Sequence, residues 1–471
     1  MTALAPASGC GHDEAMDEAA FGTLLDQAAE LVERARAAGA DVAEAVVRQG
    51  VELAAKVRLG EAELVEEASH HSAGLRVIRG SRVALTATSD LSPSGIERVV
   101  RDALELAELS QPDPFAGPAD PSEIAAGPFA DLDLYDPSIE SIDAEQAIAE
   151  ARAAEQAARD FDPRITNMQG TTCGIATGAS AMVLSGGFRS VRRSSAKSIS
   201  CVAVADDADG KKRREGWSEA RRHAADLPAA STIGAEAARR TVSMLGARKV
   251  PTCETAVVFP QETASSLLGL LASLLVGSAV WRKSSYLAGR EGTSIASELV
   301  TVLDDPLIVR GLGSRAHDGE GLASRRNLVV DGGVLRTFLC DSYSARKLGR
   351  RSTASASRGA SGGVGPGTTN FVLQPVPGMT QEEIVRSTPR GLLVTEMMGF
   401  GFNPTTGDFS RGASGFWIEN GRLAYPVSEV TISASFDRLL HAIDAVASTY
   451  APRSATLAPC LRVSSMIVSG N

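Results

Sequence analysis

The feature that most limits the possible folds of this chain is a change in its hydrophobic period. Up to about residue 247, stretches with helical spacing of apolar residues are interspersed with strand-like alternation, whereas beyond Lys249 most segments alternate as strands do. Two helical patterns interrupt this second part, at Gln261–Val280 and Phe436–Ala447. The sequence therefore predicts an α+β protein with an N-terminal α/β region, a central α+β segment and a large β-rich C-terminal domain.

Composition breaks divide the chain further. The predicted units are an N-terminal α/β domain at 17–110, a Pro-rich segment at 111–142, a central domain at 143–247 and the β-rich domain at 248–471. The predicted helices of the first two domains are Met16–Ala38, Gly95–Leu109, Asp143–Arg159 and Ser231–Leu245. Strand-like runs at 45–48, 52–59, 74–78 and 82–88 predict an antiparallel meander. The Pro-rich segment indicates a linker or an extended wrapping segment.

Bulk composition excludes several classes of protein. Aromatic residues make up 4% of the chain and glycine occurs 45 times, which predicts cores built from small residues. The formal net charge of -10 argues against a general nucleic-acid binder, because phosphate binding requires concentrated positive charge. The six cysteines are scattered without a C-x-x-C pair, which fits neither a disulfide framework nor a cysteine zinc site.

Two segments bear on cellular location. Residues 1–22 contain four acidic residues and no basic or apolar region of the kind found in signal peptides, so a cytoplasmic protein is expected. Thr263–Trp281 is uncharged and rich in leucine, but serine and glycine interrupt it. A buried helix explains this run better than a membrane span, which needs about 20 predominantly apolar residues.

Residue types that usually perform catalysis occur here in unsuitable settings. None of the six histidines forms H-E-x-x-H, and His70 and His71 are adjacent on a predicted strand, so their side chains point to opposite faces. Residues Gly359–Gly363 match G-x-S-x-G, but the helix that a nucleophile elbow requires does not follow. A mobile or substrate-facing loop is the simpler interpretation.

Charged clusters leave alternatives open. Asp206–Gly210 predicts a turn, and the basic run Lys211–Arg214 follows it. That run either contacts acidic peptides or nucleic acid, or is the solvated tip of a hairpin. The carboxylate pairs Asp304–Asp305 and Asp318/Glu320 are candidates for Mg²⁺ or Ca²⁺ binding, or for turn formation beside proline and glycine.

An ordered set of short motifs in the C-terminal half is far more specific. The segments are Asp318–Gly321, Gly333–Leu335, Ser344–Gly349, Thr369–Phe371, Gly391–Glu396, Thr406–Ser410, Gly415–Gly421 and Tyr425–Val427. Together they resemble the TldD/PmbA metallopeptidase family, also named modulator of DNA gyrase, and its PmbA (TldE) branch more than its TldD branch. The resemblance covers about residues 20–470 and is strongest from Glu298 to Val446.

The resemblance also locates the position of a zinc site. In the active TldD branch an H-E-x-x-x-H motif precedes a segment similar to Ala296–Asp305, which places its three functional residues at Leu268, Gly269 and Ser273 of this chain. Leucine and glycine can neither bind zinc nor accept a proton from bound water, and serine is a poor zinc ligand. Cys460 does not lie in the Cys-Gly-Lys setting of that branch's further ligand. The resemblance therefore implies a subunit with no catalytic, cofactor or metal residues.

The family context implies a hetero-oligomeric peptidase. A TldD-type catalytic subunit would supply zinc, and this chain would help to select peptide or unfolded-protein substrates, with no membrane or nucleic-acid partner. The alternatives are a self-sufficient metallopeptidase with ligands outside the expected helix, and a peptide- or nucleic-acid-binding module that uses Lys211–Arg214. One departure from the branch pattern, Ala354-Ser355 in place of Gly-Asn, leaves the conformation of that loop open.

The predicted helix Gln261–Val280 has two distinct faces. Leucines form one stripe, which is typical of a face packed on the core. A second row consists of small residues three to four positions apart: Ser266, Gly269, Ser273 and Gly277. This row predicts close approach of another backbone, either a partner subunit or an element of the same chain.

Overall fold

The computed structural model describes residues 10–208 and 210–470, with side chains described from Phe21 onward. Residues 1–9, which belong to the segment assessed for a signal peptide, and Asp209 of the predicted turn lie outside the described residues. The fold combines helices and sheets, as predicted, and its C-terminal half is rich in strands.

Ten helices occur in the described chain. They are α1 (Cys10–Ala37), α2 (Pro93–Leu109), α3 (Pro137–Glu140), α4 (Ala144–Phe161), α5 (Ala230–Ser243), α6 (Gln261–Leu274), α7 (Gly277–Trp281), α8 (Ser342–Lys347), α9 (Gln381–Arg386) and α10 (Phe436–His441). The side chains of Ser92 and Asp143 accept backbone N–H groups at the starts of α2 and α4, which explains why these helices begin there.

The strands fall into two halves of the chain. The first half contains β1 (Val42–Arg58), β2 (Glu61–Arg79), β3 (Arg82–Thr88), β4 (Ile165–Leu184), β5 (Arg189–Asp206) and β6 (Lys212–Arg221). The second half contains β7 (Cys253–Phe259), β8 (Val302–Asp304), β9 (Asn327–Asp331), β10 (Val334–Leu335), β11 (Ala356–Arg358), β12 (Val364–Pro366), β13 (Phe371–Leu373), β14 (Arg390–Met398), β15 (Asp408–Glu419), β16 (Arg422–Ser435), β17 (Ile443–Val446), β18 (Thr456–Leu457) and β19 (Leu461–Ser469).

The N-terminal and central regions share one sheet. Its order is β3-β2-β1-β4-β5-β6, with all neighbours antiparallel. Strand β1 pairs with β2 on one side and with β4 on the other, from Glu44 opposite Leu184 to Val57 opposite Thr171. Residues about 120 positions apart therefore form the centre of this sheet, which the strand-by-strand sequence analysis did not anticipate.

Helices cover one face of this sheet. Helices α1 and α2 pack on small and aliphatic residues at one end, such as Ala45, Val47 and Leu75. Helices α4 and α5 pack on the other end, against residues such as Cys173 and Ile199. Because side chains alternate along a strand, the intervening residues of β1, β4 and β5 point to the opposite face, which looks toward the C-terminal domain.

The C-terminal domain approaches that second face closely. A Cβ atom on Gly74 would lie 2.3 Å from the carbonyl oxygen of Ala360, so only glycine fits this contact. The buried carboxylate of Glu44 on β1 accepts hydrogen bonds from Arg76 of the same sheet (2.9 Å) and from Arg358 of β11 (2.6 Å). Backbone contact and buried ion pairs thus fix this end of the sheet to the C-terminal domain.

The Pro-rich segment wraps around the C-terminal domain. Arg346 on α8 donates hydrogen bonds to the carbonyl oxygens of Phe115, Gly117 and Pro118. Further along, the backbone N–H of Ala125 donates to Gly321 at 2.8 Å. Of the two interpretations of residues 111–142, the structure supports the extended wrapping segment.

Two large sheets and one large core build the C-terminal domain, and β11 and β12 form a separate two-stranded sheet. The first sheet has the order β16-β15-β14-β7-β19-β17, and the second has the order β10-β9-β8-β13-β18. Buried residues of both sheets and of α6 form a continuous cluster that includes Phe259, Leu271, Phe371 and Phe436. One side of helix α6 is thus buried in the core of this domain.

Two predicted helices are shorter than the sequence suggested. The prediction of one helix over Gln261–Val280 is wrong, because Val276 is extended and forms a parallel bridge with Leu339, which separates α6 from α7. The prediction of a helix over Phe436–Ala447 is wrong beyond His441, because Ile443–Val446 pairs with β19 as strand β17. In both places a tertiary backbone pairing overrides local helical spacing.

No helix within residues 10–208 and 210–470 is both long and apolar enough to span a lipid bilayer.

Candidate functional site

The three positions that correspond to the H-E-x-x-x-H motif lie on helix α6, and they differ in their surroundings. Leu268 is 5% exposed and belongs to the core of the C-terminal domain. A Cβ on Gly269 would meet no atom within 4 Å, so that side of the helix is open. Ser273 is exposed, and its hydroxyl donates to the carbonyl oxygen of Leu270 at 2.7 Å. None of the three positions presents a metal ligand.

The N-terminal half of α6 is tied to the segment that precedes β19. The side chain of Gln261 accepts from the backbone N–H of Ala451 at 2.7 Å and donates to its carbonyl oxygen. The hydroxyl oxygen of Ser265 accepts from the N–H of Ala458 at 3.1 Å. Burial, together with the negative charge of Glu262, raises the pKa of the nearby Cys460 thiol to about 12. The Cys460 thiol is therefore neutral in the metal-free protein.

A polar cleft lies between the first sheet and the C-terminal domain, beside α6; we call it the α6 cleft. It consists of two adjoining cavities of about 650 and 570 Å³, in the range of ligand sites. Residues that line both cavities come from β6, α5, α6, β14 and the segment after Ala451: Glu215, Trp217, Arg240, Gln261, Glu262, Thr395 and Arg453.

Charged groups of both signs line the α6 cleft. The ring of Trp217 lies between two guanidinium groups, with Arg240 at 3.9 Å and Arg453 at 4.2 Å from its centre. Arg453 also donates to Glu262 at 2.6 Å. Burial and the neighbouring carboxylate of Glu396 raise the pKa of Glu215 to about 7. Glu215 can therefore hold or release a proton near neutral pH.

Two strand edges border the α6 cleft. Strand β6 is the last strand of the first sheet, and no described strand pairs with its outer edge. Strand β14 pairs with β7 at Gly391–Leu393, so within the described chain its continuation through Thr395 and Glu396 has no strand on that side. Unpaired edges of this kind can accept extended peptides by backbone hydrogen bonding.

The row of small residues on α6 is shorter than predicted. Ser266 and Ser273 are exposed, Gly269 is open, and Ser266 lines the α6 cleft. Gly277 does not belong to this row, because the break at Val276 turns it inward. A Cβ there would lie 2.7 Å from the Sγ of Cys340. Gly277 therefore packs against an element of the same chain, which is the second of the two predicted alternatives, while the partner surface stays a prediction for the other three positions.

The basic run Lys211–Arg214 is largely paired with acids. Lys211 bridges to Glu429 of β16, and Lys212 pairs with Asp206. Arg213 is buried, pairs with Asp207 at 2.6 Å and donates to Ser428 at 3.1 Å. These contacts join the central region to the C-terminal domain and offset most of the charge of the run.

The remaining sequence candidates have structural roles. Residues Gly359–Gly363 form the turn between β11 and β12, with no helix after the serine. The carboxylate of Asp318 accepts from the backbone N–H groups of Glu320 and Leu322, which is turn formation. His70 and His71 lie exposed on β2, as predicted. Among the described residues, no group of three or more His, Cys, Asp or Glu side chains is arranged to hold a metal ion.

Sequence analysis missed the charged groups of the α6 cleft. Glu215 directly follows the basic run Lys211–Arg214, and Glu396 lies 181 positions further along the chain. Glu396 ends the motif Gly391–Glu396, but nothing in the sequence relates it to Glu215, and only the approach of β6 to β14 brings the two carboxylates together.

Comparison with known proteins places this architecture in a family. Family models match in three consecutive parts: PmbA/TldA metallopeptidase domain 1 at residues 43–107, the central domain at 137–245 and the C-terminal domain at 252–470. Metalloprotease PmbA of Escherichia coli O157:H7 is 35% identical over 431 residues, which is 92% of this chain and 93% of that protein. A metalloprotease PmbA homolog of Haemophilus influenzae is 34% identical, covering 93% of this chain and 94% of that protein.

Solved structures show the same fold. A candidate modulator of DNA gyrase from Bacteroides thetaiotaomicron superposes with a TM-score of 0.88 at 27% identity, covering 95% of this chain and 98% of that one. TldE from Thermococcus kodakarensis superposes with a TM-score of 0.84 at 21% identity, covering 94% and 100% respectively, and supports the fold alone. From the three matched domains and the full-length relatives, the chain belongs to the PmbA/TldD metallopeptidase family.

Proposed function

We propose that this chain is the non-catalytic, TldE-type subunit of a two-component zinc metallopeptidase, and that it binds part of the peptide substrate. The observation that carries the proposal is the chemistry of α6, where Leu268 is a core residue, Gly269 has no side chain and Ser273 is bonded to its own helix. A TldD-type partner would bind the zinc ion and activate the attacking water.

The α6 cleft supports a role in substrate binding. It offers the edge of β6, the free part of β14 and a mixed set of charges, all beside the helix that carries the motif in the active branch. The exposed residues Ser266 and Ser273, with the open position at Gly269 between them, continue from the cleft and would allow a partner backbone to approach. The ion pairs that Lys211, Lys212 and Arg213 form with acidic residues of this chain disfavour the alternative of a nucleic-acid-binding module, because these charges are already neutralised.

We further propose that the complex acts in the cytoplasm. All five cysteines whose side chains are described are free, and four of them are buried. Free thiols are typical of a reducing compartment.

The test begins with the chain purified alone. Metal analysis should find no stoichiometric zinc, and a mixture of fluorogenic peptides should remain uncleaved. Addition of a TldD-type subunit should produce cleavage that a chelator abolishes. Stoichiometric zinc in the isolated chain, with chelator-sensitive cleavage by that chain alone, would overturn the proposal in favour of a self-sufficient metallopeptidase.

A matched pair of variants tests the role of the cleft. Ser218 on β6 is exposed and lines the α6 cleft, whereas Ser69 on β2 is exposed and lies outside it. Ser218→Trp should lower cleavage by the reconstituted complex without changing assembly, and Ser69→Trp should not. Equal effects of the two substitutions would show that the cleft does not contact substrate.

A further inference from the structure

Four arginines converge on a recess at the face of the first sheet that looks toward the C-terminal domain. Arg48 of β1 and Arg192 of β5 lie opposite each other across Ser180 of β4. Two inter-strand spacings separate them, about 10 Å, and the small side chain of Ser180 leaves the space between them open. Arg315 and Arg358, from the C-terminal domain, line the other side. We call this the arginine recess.

Acidic residues balance only part of this charge, since Asp318 and Asp304 attract Arg315 without forming an ion pair with it. The carboxylate of Glu44 is shared by Arg76 and Arg358. Asp318 also lines the recess, but its oxygen atoms accept backbone N–H groups of the surrounding turn. Within the described chain, no carboxylate lies within ion-pair distance of Arg48, Arg192 or Arg315. Three guanidinium groups therefore share the recess with an excess of positive charge.

Several N–H groups of these arginines have no acceptor among the described residues. The Nε atoms of Arg48 and Arg315 and one terminal nitrogen of Arg315 are shielded from solvent without a hydrogen bond. The side chain of Arg192 makes no hydrogen bond to any described residue and keeps an accessible surface. Desolvation in the recess and repulsion from Arg48, Arg315 and Arg222 lower its pKa to about 10. Arg192 is itself exposed, so the shielded donors that lack an acceptor are those of Arg48 and Arg315. Shielded charged donors without acceptors are the mark of a site that receives an acceptor from outside.

The other polar groups of the recess narrow the class of ligand. Burial and the nearby arginines lower the pKa of His317 to about 4, so the ring is neutral. Its two nitrogens are already used, by the hydroxyl of Ser190 at 2.9 Å and the carbonyl oxygen of Asp318 at 3.0 Å. The free space of about 40 Å³ holds one small group of a few heavy atoms. Repulsion excludes a metal cation, and the fork geometry of arginine favours a planar oxyanion.

We propose that the arginine recess binds the C-terminal carboxylate of a peptide. This proposal rests on the proposed function, since it specifies which part of a peptide substrate this subunit holds. Guanidinium groups bind carboxylates by paired, charge-assisted hydrogen bonds, which supply the acceptors that the recess lacks.

The recess and the α6 cleft lie along the same strand. Arg192 and Ser200 point to the same face of β5, eight residues apart, and Ser200 lines the cleft. The intervening positions on that face are small: Ser194, Ala196 and Ser198. At about 3.3 Å per residue, the separation is about 26 Å. If the C-terminal residue of an extended peptide lies in the recess, the residue about eight positions before it therefore lies at the cleft.

The test measures binding to the full chain without zinc or a partner subunit. The probe is an N-terminally labelled ten-residue peptide of Gly, Ser and Ala, prepared as the free acid and as the C-terminal amide. Fluorescence polarisation should show the free acid binding at least tenfold more tightly than the amide. Arg192→Gln should abolish this preference and Arg192→Lys should retain part of it. Arg98→Gln, at an exposed arginine on α2, should leave the preference unchanged.

Three outcomes would overturn the proposal. The first is equal binding of acid and amide by the folded wild-type chain. The second is a preference that survives Arg192→Gln. The third is displacement of the peptide by inorganic phosphate at concentrations below the Kd of the peptide, which would assign the recess to a phosphate ligand. Thermal melting confirms that each variant is folded. Since no cleavage is measured, loss of the recess would leave the partner-dependent activity, and hence the proposed function, separately testable.

Discussion

Replacement of Glu44 is the sharpest test of how the two halves of the molecule are joined. The Glu44 side chain is 3% exposed and accepts from Arg76 at 2.9 Å and from Arg358 at 2.6 Å. Glu44→Ala would leave both guanidinium groups buried without their shared carboxylate. Removal of one partner from a buried ion pair costs about 3–5 kcal/mol.

The expected shift is large enough to measure by thermal unfolding. For a folding unit of 150–250 residues, 1 kcal/mol corresponds to about 2–4 °C in Tm, so a loss of 3 kcal/mol lowers Tm by roughly 6–12 °C. The matched control is Glu63→Ala, since Glu63 pairs with Lys56 but is 40% exposed. Exposed pairs contribute about 0–1 kcal/mol. If Glu44→Ala lowers Tm no more than Glu63→Ala does, the buried cluster does not hold the sheet to the C-terminal domain.

The same cluster predicts a pH dependence. Although burial opposes ionisation, Arg358 and Arg76 hold the pKa of Glu44 below its ordinary value of 4.5. The stabilisation is therefore complete above pH 4.5 and is lost as the pH falls through the lowered pKa of the folded state. The difference in Tm between the wild type and Glu44→Gln should shrink below pH 4.5. A difference that stays constant down to the acid limit of folding would contradict this assignment.

Three further predictions follow from helix α6 and its cleft. Leu268→Ala should lower the free energy of unfolding by about 2–5 kcal/mol, whereas Ser266→Ala on the exposed face should have little effect, as chemical denaturation can show. The double variant Gly269→Leu/Ser273→Leu should weaken association with a TldD-type subunit in size-exclusion chromatography; unchanged elution of the complex would remove this surface from the interface. Burial and Glu396 raise the pKa of Glu215 from 4.5 to about 7, so stability should fall as the pH rises between these values. Glu215→Gln should flatten that decline, and an unaltered pH profile would show that another group causes it.

Helices were predictable because their signals are local. The spacing of apolar residues placed a helix at Gly95–Leu109, and α2 occupies Pro93–Leu109. Strand β2 was not predicted as one strand, because its first half, Glu61–His71, is exposed and shows no alternation. The end of α6 could not be predicted either, since the bridge between Val276 and Leu339 joins positions 63 residues apart.

The candidate site was predictable only in part. Family resemblance directed attention to Leu268 and its neighbours, but the α6 cleft and the arginine recess arise from strand register and domain contact. The family's usual glycine at position 354 now has an explanation, whereas nothing in the structure explains the alanine. Its φ is +56°, a left-handed conformation that glycine adopts freely and that costs alanine about 1–2 kcal/mol. The loop thus keeps a conformation suited to the family's usual glycine.

The shared sheet has a consequence for how the protein is made. Strand β1 leaves the ribosome with β2 as a neighbour, but its other edge is completed by β4, as in the pairing of Glu44 with Leu184, 140 residues later. At a translation rate of about 5–20 residues per second, one edge of the 17-residue strand β1 stays unpaired for roughly 7–28 seconds during synthesis. Through that interval the nascent chain presents a template for intermolecular strand addition, so its yield in cells is set by translation speed and chaperone supply as much as by the stability of the finished fold.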